Sequence, residues 1–372
     1  MAVTPCDIGG RKILRRPCHT DADNIVLHAS TLILRPPMHV GKSYRPVEFA
    51  LWSRGSIAFM VAVSLCAIGV YNIPSIAGFS VPWPIVVVLG TTVSLMAGFK
   101  NSQVLARSGE ALQAFAQISA SSRMLSRFCC DFTDEATKQA LVYRHIAWMT
   151  ALRFSLRRSM PWESMGRKAN AEFRKRYHIM EDTTSLVDEL AALLGPEDAA
   201  NILDGGMLSA PLQLLNQQGH QINTLFRDKG LAPQVYTELL KLMRDLHDQQ
   251  ARCDRIKNSP YPRQYAIVSS MFVAIFCTLL PFGAVPVFAE MSKLGGIWSV
   301  ISIWLTIPFS ALLGWMYMSL DQVGESTSNP FEGGANDVPI SQICRELEIE
   351  LRAAMGEIDL PAPLLPRNGI AT

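Results

Sequence analysis

Between Arg54 and Lys100 the chain carries no Asp, Glu, Lys, Arg or His. A charge-free run of 45 residues is too long for one buried helix, and Asn72, Pro74, Gly78, Pro82 and Pro84 interrupt its middle. A membrane helix needs about 20 apolar residues, so the run reads as two spans joined by a short uncharged turn. Residues 264–289 and 294–320 repeat the pattern, separated only by Glu290-Met291-Ser292-Lys293. Four spans are expected, at about 55–74, 83–99, 264–289 and 294–320.

Only part of the chain belongs in a bilayer. Charged residues make up 18% of it and lie outside the four runs. Residues 100–263 are numerous enough to bury a core of their own. Lys and Arg flank the first pair of spans (Arg35, Lys42, Arg45, Arg54, Lys100) and are missing from the turn between them. Positive flanks stay on the cytoplasmic side, which places both termini and the central segment there. The first residues lack the apolar stretch of a signal peptide, and 1–33 are expected to be a disordered extension. A net charge of +2, with no basic stripe, argues against a nucleic-acid partner.

The central segment reads as helical. Ser185 and Asp188 form a helix-start signal, and Gly195-Pro196 a stop. Val235, Leu239, Leu242, Met243 and Leu246 recur at helical spacing. No stretch alternates with period two for long, so the expected class is all-α, a polytopic membrane protein with a helical cytoplasmic domain.

Chemistry is sparse. Seven histidines are scattered singly, eight cysteines show no zinc spacing, and no nucleophile elbow, phosphate loop or dinucleotide fingerprint occurs. Reduced thiols and a solvated charged face explain the cysteines and carboxylate pairs. An enzyme reading has no residues to rest on, and no cofactor is expected.

The second span is the informative one. Counted as residues 84–99 it would cover about 24 Å, short of the roughly 30 Å hydrocarbon core, which suits the inside of an assembly. Gly90, Ser94 and Gly98 form a small-residue stripe that would let helices approach closely. Beside it Thr91, Leu95 and Phe99 recur every four residues, so that a ring of subunits would stack them as collars. Packing of Leu95 and Phe99 against lipid or a neighbouring span fits the spacing equally.

Four segments decide between these. Gly98-Phe-Lys-Asn-Ser102 closes the second span, and Arg255-Ile-Lys-Asn-Ser-Pro-Tyr-Pro262 precedes the third. Leu279-Leu-Pro-Phe282 lies within the third, and Asn329-Pro-Phe-Glu-Gly-Gly-Ala-Asn-Asp-Val-Pro339 follows the fourth. In this order, from about Leu34-Arg35-Pro36 to Leu351, the chain resembles the bestrophin family. The resemblance implies a homopentamer around one central pore, four membrane helices per subunit and passive ion conduction in a cell membrane, the bacterial inner membrane being expected. It places a hydrophobic neck at Thr91, Leu95 and Phe99, and a lower cytoplasmic aperture at Gln234. The implied domains are 34–99 with the first two spans, 100–263 cytoplasmic, 264–320 with the last two, a segment 321–355 packing on the assembly, and a disordered tail 356–372. Partners are other copies of the chain, membrane lipid and permeant ions.

Two departures matter. Where eukaryotic members hold calcium, Asn329 and Asp337 remain, but Ser326 and Gly334 stand where a glutamine and an aspartate are expected. Calcium takes six to eight oxygens, so a lost carboxylate weakens the site, and Asn329 and Asp337 are at most its remnant. Turns and caps in this segment are the favoured reading. The second departure is Thr91, a polar residue in an apolar neck. Helix N-termini near Pro82 and the lack of acidic residues beside Phe99 or Gln234 favour chloride and similar anions. The alternatives are a cation-permeable channel of the same fold, or a membrane scaffold or sensor without conductance. The uncharged spans show neither the polar mid-membrane residues nor the internal repeats of a secondary transporter.

Overall fold

The computed structural model describes residues 46–73, 80–163, 178–366 and 370–371. The expected extension 1–33, the start of the resemblance at Leu34 and most of the first turn between spans lie outside them. Among the described residues every regular element is helical. In chain order these are α1 (Pro46–Asn72), α2 (Trp83–Phe132), α3 (Glu135–Arg157), α4 (Leu186–Leu194), α5 (Pro196–Asp204), α6 (Ala210–Asp228), α7 (Pro233–Asn258), α8 (Arg263–Met291), the single turn α9 (Trp298–Ile301), α10 (Thr306–Ser326) and α11 (Ile340–Ala354).

Four helical stretches are long and apolar enough to cross a membrane, in α1, α2, α8 and the segment Ser302–Ser326. They pack together around Met60 of α1, Val86 and Val93 of α2, and Val273, Phe276, Cys277 and Leu280 of α8, with Tyr317 and Met318 of α10 at the edge. A smaller cluster, Ala67, Ile68 and Val285, joins α1 to α8 nearer the other end. The fourth span starts with a tight 3₁₀ turn, Ser302–Leu305, before α10 proper. Pro281 and Pro286 lie inside α8 without ending it, as membrane helices allow when neighbours take up the freed backbone groups.

The second span does not end at Phe99. Helix α2 runs on through Lys100-Asn101-Ser102 to Phe132, 50 residues in all, or about 75 Å. The short-helix argument for its place in an assembly is therefore wrong, and the boundary expected at residue 100 falls inside a continuous rod. Its upper part belongs to the span bundle. Its lower part, through Ala111, Phe115, Ile118 and Leu125, is buried in a second and larger core with α3–α7 and α11.

That second core follows the apolar periodicity. In α7, Leu239, Met243 and Leu246 are buried, as their spacing predicts. Ser185 sits at the N-terminus of α4 but makes no capping side-chain bond. Gly195, at φ +92°, turns the chain so that Pro196 can open α5. The apolar stripe of α11 also finds its partner: Ile340, Leu347 and Leu351 are buried against α2 and α3 of the same subunit. Beyond it, residues 357–366 form no helix, yet Ile370 is buried beside Ile179. That burial departs from the expectation of a disordered tail.

Candidate functional site

An α-helix turns about 100° per residue, so the two sides of α2 are read directly from burial. Val86, Gly90, Val93, Ala97, Lys100 and Val104 are buried against the rest of the subunit. On the opposite side Leu95 is 61% and Phe99 63% exposed, and Thr91 stands open with them. Thr91, Leu95 and Phe99, the expected neck residues, are thus all exposed on the side of α2 away from its packed face. The Thr91 hydroxyl donates to the Val88 carbonyl at 2.8 Å, so its proton is spent on the helix backbone.

The members of the small-residue stripe meet different surroundings. Gly90 lies under Phe276 of α8, where a Cβ would come within 2.9 Å of the ring. The Ser94 hydroxyl is 2.6 Å from the Tyr317 hydroxyl of α10, which also donates to the Gly90 carbonyl at 3.4 Å. Gly98 has nothing within 4 Å of a Cβ position. Gly90 therefore serves packing inside the subunit, Ser94 is exposed but bonded to Tyr317, and Gly98 faces outward with no neighbour.

Immediately after Phe99 the helix is tied down. Lys100, only 4% exposed, reaches Asp321 at the end of α10 at 2.6 Å. The Asn101 amide donates to the Leu320 carbonyl at 3.4 Å. The pair holds the rotation of α2 one residue below Phe99. Sequence reasoning passed over it, although Lys100 and Asp321 are the first charges after two of the uncharged runs.

Gln234 is the second residue of α7 and is exposed. Beside it the Tyr236 ring stacks on Phe226 of α6 with centroids 4.3 Å apart. The opposite end of α7 meets α2, where Arg107 bonds to the Ile256 carbonyl and Arg255 pairs with Glu110. Gln234 lies 22 residues before Ile256, about 33 Å along the helix, at the end of the helical domain away from the spans.

Asn329 and Asp337 belong to a tight turn between α10 and α11. The buried Asp337 carboxylate accepts the backbone N–H groups of Gly333 at 2.8 Å and Gly334 at 2.7 Å. Gly333 stands at φ +94°, and a Cβ on Gly334 would press on that carboxylate at 3.2 Å. The Asn329 side-chain amide donates to Glu332 at 3.2 Å. Burial raises the Asp337 pKa to about 6, against the pull of these N–H groups and of Arg157. Among the described residues no group of three or more His, Cys, Asp or Glu is arranged to hold a metal ion. Asp337 is thus engaged by the backbone of its own turn, and Asn329 by the Glu332 side chain.

Ion pairs that the sequence cannot reveal lock the helical domain. Arg153 of α3 pairs with Glu181 at 2.8 Å and with Glu189 of α4. Ser341 of α11 donates to the same Glu181 at 2.6 Å. Lys257 of α7 pairs with Glu163, both nearly buried, and burial lowers the lysine's pKa. His145 is buried against Trp148 and Ser122, and burial depresses its pKa to about 3, so it is neutral at physiological pH.

Residues 50–353 match the family described as Bacterial/Fungal Bestrophin protein. The chain belongs to this bestrophin family. It is 26% identical over 281 residues to the voltage-dependent anion channel-forming protein YneE of Escherichia coli strain K12, covering 75% of this chain and 79% of the relative. The protein of the same name from Salmonella typhi is 25% identical over 342 residues, covering 90% of this chain and 98% of the relative. A bacterial bestrophin homolog from Klebsiella pneumoniae, solved by crystallography, superposes with a TM-score of 0.68 at 22% identity. That match takes in 82% of this chain and 98% of the other. The bestrophin family comprises membrane proteins and not enzymes, in keeping with the four apolar spans.

Proposed function

We propose that this bestrophin is a homopentameric channel that conducts chloride and similar anions passively, with α2 innermost. The observation that carries the reading is the outward face of Leu95 and Phe99. Two large apolar side chains stand more than half exposed on a membrane-crossing helix whose other side is fully packed. A ring of such faces makes a narrow apolar collar, the neck, where an ion sheds water and gains no polar ligand. The names of the curated relatives, anion channel-forming proteins, support the ion class.

Electrostatics point the same way. Lys100, the charge next to the collar, is drawn inward by Asp321, so the collar itself is neutral. Five copies of α2 starting at Trp83 would aim five helix N-termini at the outer mouth, where their partial positive charge favours anions. Gln234 at the far end of the helical domain is the proposed lower aperture. The helical domain and both termini are assigned to the cytoplasm and the spans to a bacterial inner membrane, in contact with lipid. Conduction is assigned no calcium requirement, because Asp337 is engaged by its own turn.

Reversal potential across a planar bilayer under a salt gradient tests this. A potential on the chloride side, unchanged by a calcium chelator, is expected. A potential on the cation side would make it a cation-permeable channel of the same fold. No conductance at all, from protein that assembles, would leave a scaffold or sensor.

A further inference from the structure

A cavity of about 760 Å³ lies where the spans meet the helical domain, between the middle of α2 at Lys100 and Val104, the first turns of α8 and the last turns of α10. Its volume falls in the range of small-molecule sites. Its lining is divided by chemistry. Ile267 and Met271, on the span side of α8, are 66% and 50% exposed and form an apolar rim that opens outward. Trp162 and Tyr261 flank the opening at the other level, the amphipathic aromatic pair expected at a membrane–water interface. The back wall is the Lys100–Asp321 pair, already neutralised at 2.6 Å.

Two more charged residues line the cavity, Arg263 and Glu325. Arg263 uses one N–H on the Pro161 carbonyl at 3.1 Å. A guanidinium has five donors in a planar fork suited to phosphate, so it keeps a phosphate-binding edge. With Glu325 also lining the site, the four charges sum to zero. That balance suits a head carrying one phosphate and one ammonium better than a net anion.

We infer that this cavity is a binding site for a glycerophospholipid with a zwitterionic amine-bearing head, its phosphate on Arg263 and its acyl chains leaving over Ile267 and Met271. The inference rests on the membrane placement of the spans and not on conduction, so it stands or falls separately from the channel reading.

The test uses the full-length protein in mild detergent, supplied with phosphatidylethanolamine, phosphatidylglycerol or inorganic phosphate and read by native mass spectrometry. Phosphatidylethanolamine should be retained at up to one per subunit, at least about tenfold above phosphatidylglycerol at equal supply. Arg263→Gln, and separately Met271→Trp to fill the rim, should each cut retention by about tenfold with the oligomer mass unchanged. Equal retention of both lipids, no loss in either variant, or displacement of the lipid by inorganic phosphate would each overturn the assignment.

Discussion

The bond between Lys100 and Asp321 offers a quantitative test of how α2 is held. Both groups are withdrawn from water, with side chains 4% and 14% exposed and the ammonium 2.6 Å from the carboxylate. Removing one partner of a buried pair leaves a charge without compensation, at a cost of about 3–5 kcal/mol. Lys100→Met strands Asp321, which keeps slight access to water, so the lower figure of about 3 kcal/mol applies; Asp321→Leu strands the better-buried Lys100 and should cost at least as much. Replacing both removes the stranded charge and the desolvation together. The double variant should therefore cost no more than either single one, a coupling of at least about 3 kcal/mol. Reversible unfolding in mixed micelles, run as a double-mutant cycle, measures this. Because Phe99 directly precedes Lys100, single-channel conductance should shift in the single variants and return towards the parent in the double. Single variants costing under about 1 kcal/mol and adding without coupling would show that the pair does not anchor the helix.

Other expectations follow from particular contacts. Replacing Leu95 and Phe99 by Ala should raise conductance or open probability while the proposed pentamer persists; unchanged currents would mean that the outward face of α2 is not the pore face. Gly90→Leu should reduce the yield of folded protein, because a Cβ already comes within 2.9 Å of Phe276, whereas Gly98→Leu should leave the subunit folded, with thermal unfolding of the two as the comparison. Asp337 binds a proton more tightly folded, at about 6, than unfolded near 4, so its contribution to stability declines as pH rises through that window. Asp337→Asn should flatten this slope in a pH series of unfolding. His145 has the opposite sign: held near 3 against about 6.5 unfolded, it costs stability as pH falls below 6.5, and His145→Gln should reduce that loss. Amides of residues 340–351 should exchange slowly with deuterium, and rapid exchange would contradict the docking of α11.

The spans, the helical domain and the α11 stripe were legible because each depends on one local pattern. Runs without charge specify membrane helices, and Leu347 and Leu351 lie on one face of α11 whatever their partner is. The continuity of α2 was harder to see. Lys100-Asn101-Ser102 looks like a boundary in polarity, but polarity does not end a helix. The signal that would have found the rod is the lack of any proline between Pro84 and Pro161. For the small-residue stripe, spacing alone does not say that Gly90 meets Phe276 and Ser94 meets Tyr317 within the subunit. Partners such as Arg153 with Glu181, or Lys100 with Asp321, lie too far apart in the chain for any local pattern to join them. The Asn329-to-Pro339 motif was visible as a segment, but its use became clear only when Asp337 was found bonded to its own turn.

The uninterrupted α2 places the proposed neck far along a lever. Phe99 and Phe132 are 33 residues apart, about 50 Å along one rigid axis. If that axis pivots at its lower end by about 2°, the Phe99 ring travels about 1.7 Å sideways. A side chain repacked beside Leu125, deep in the helical domain, can thus shift Phe99, and with it the proposed neck, with no hinge between them. In the proposed channel, the width of the pore at Phe99 is then a property of the helical domain as much as of the span bundle.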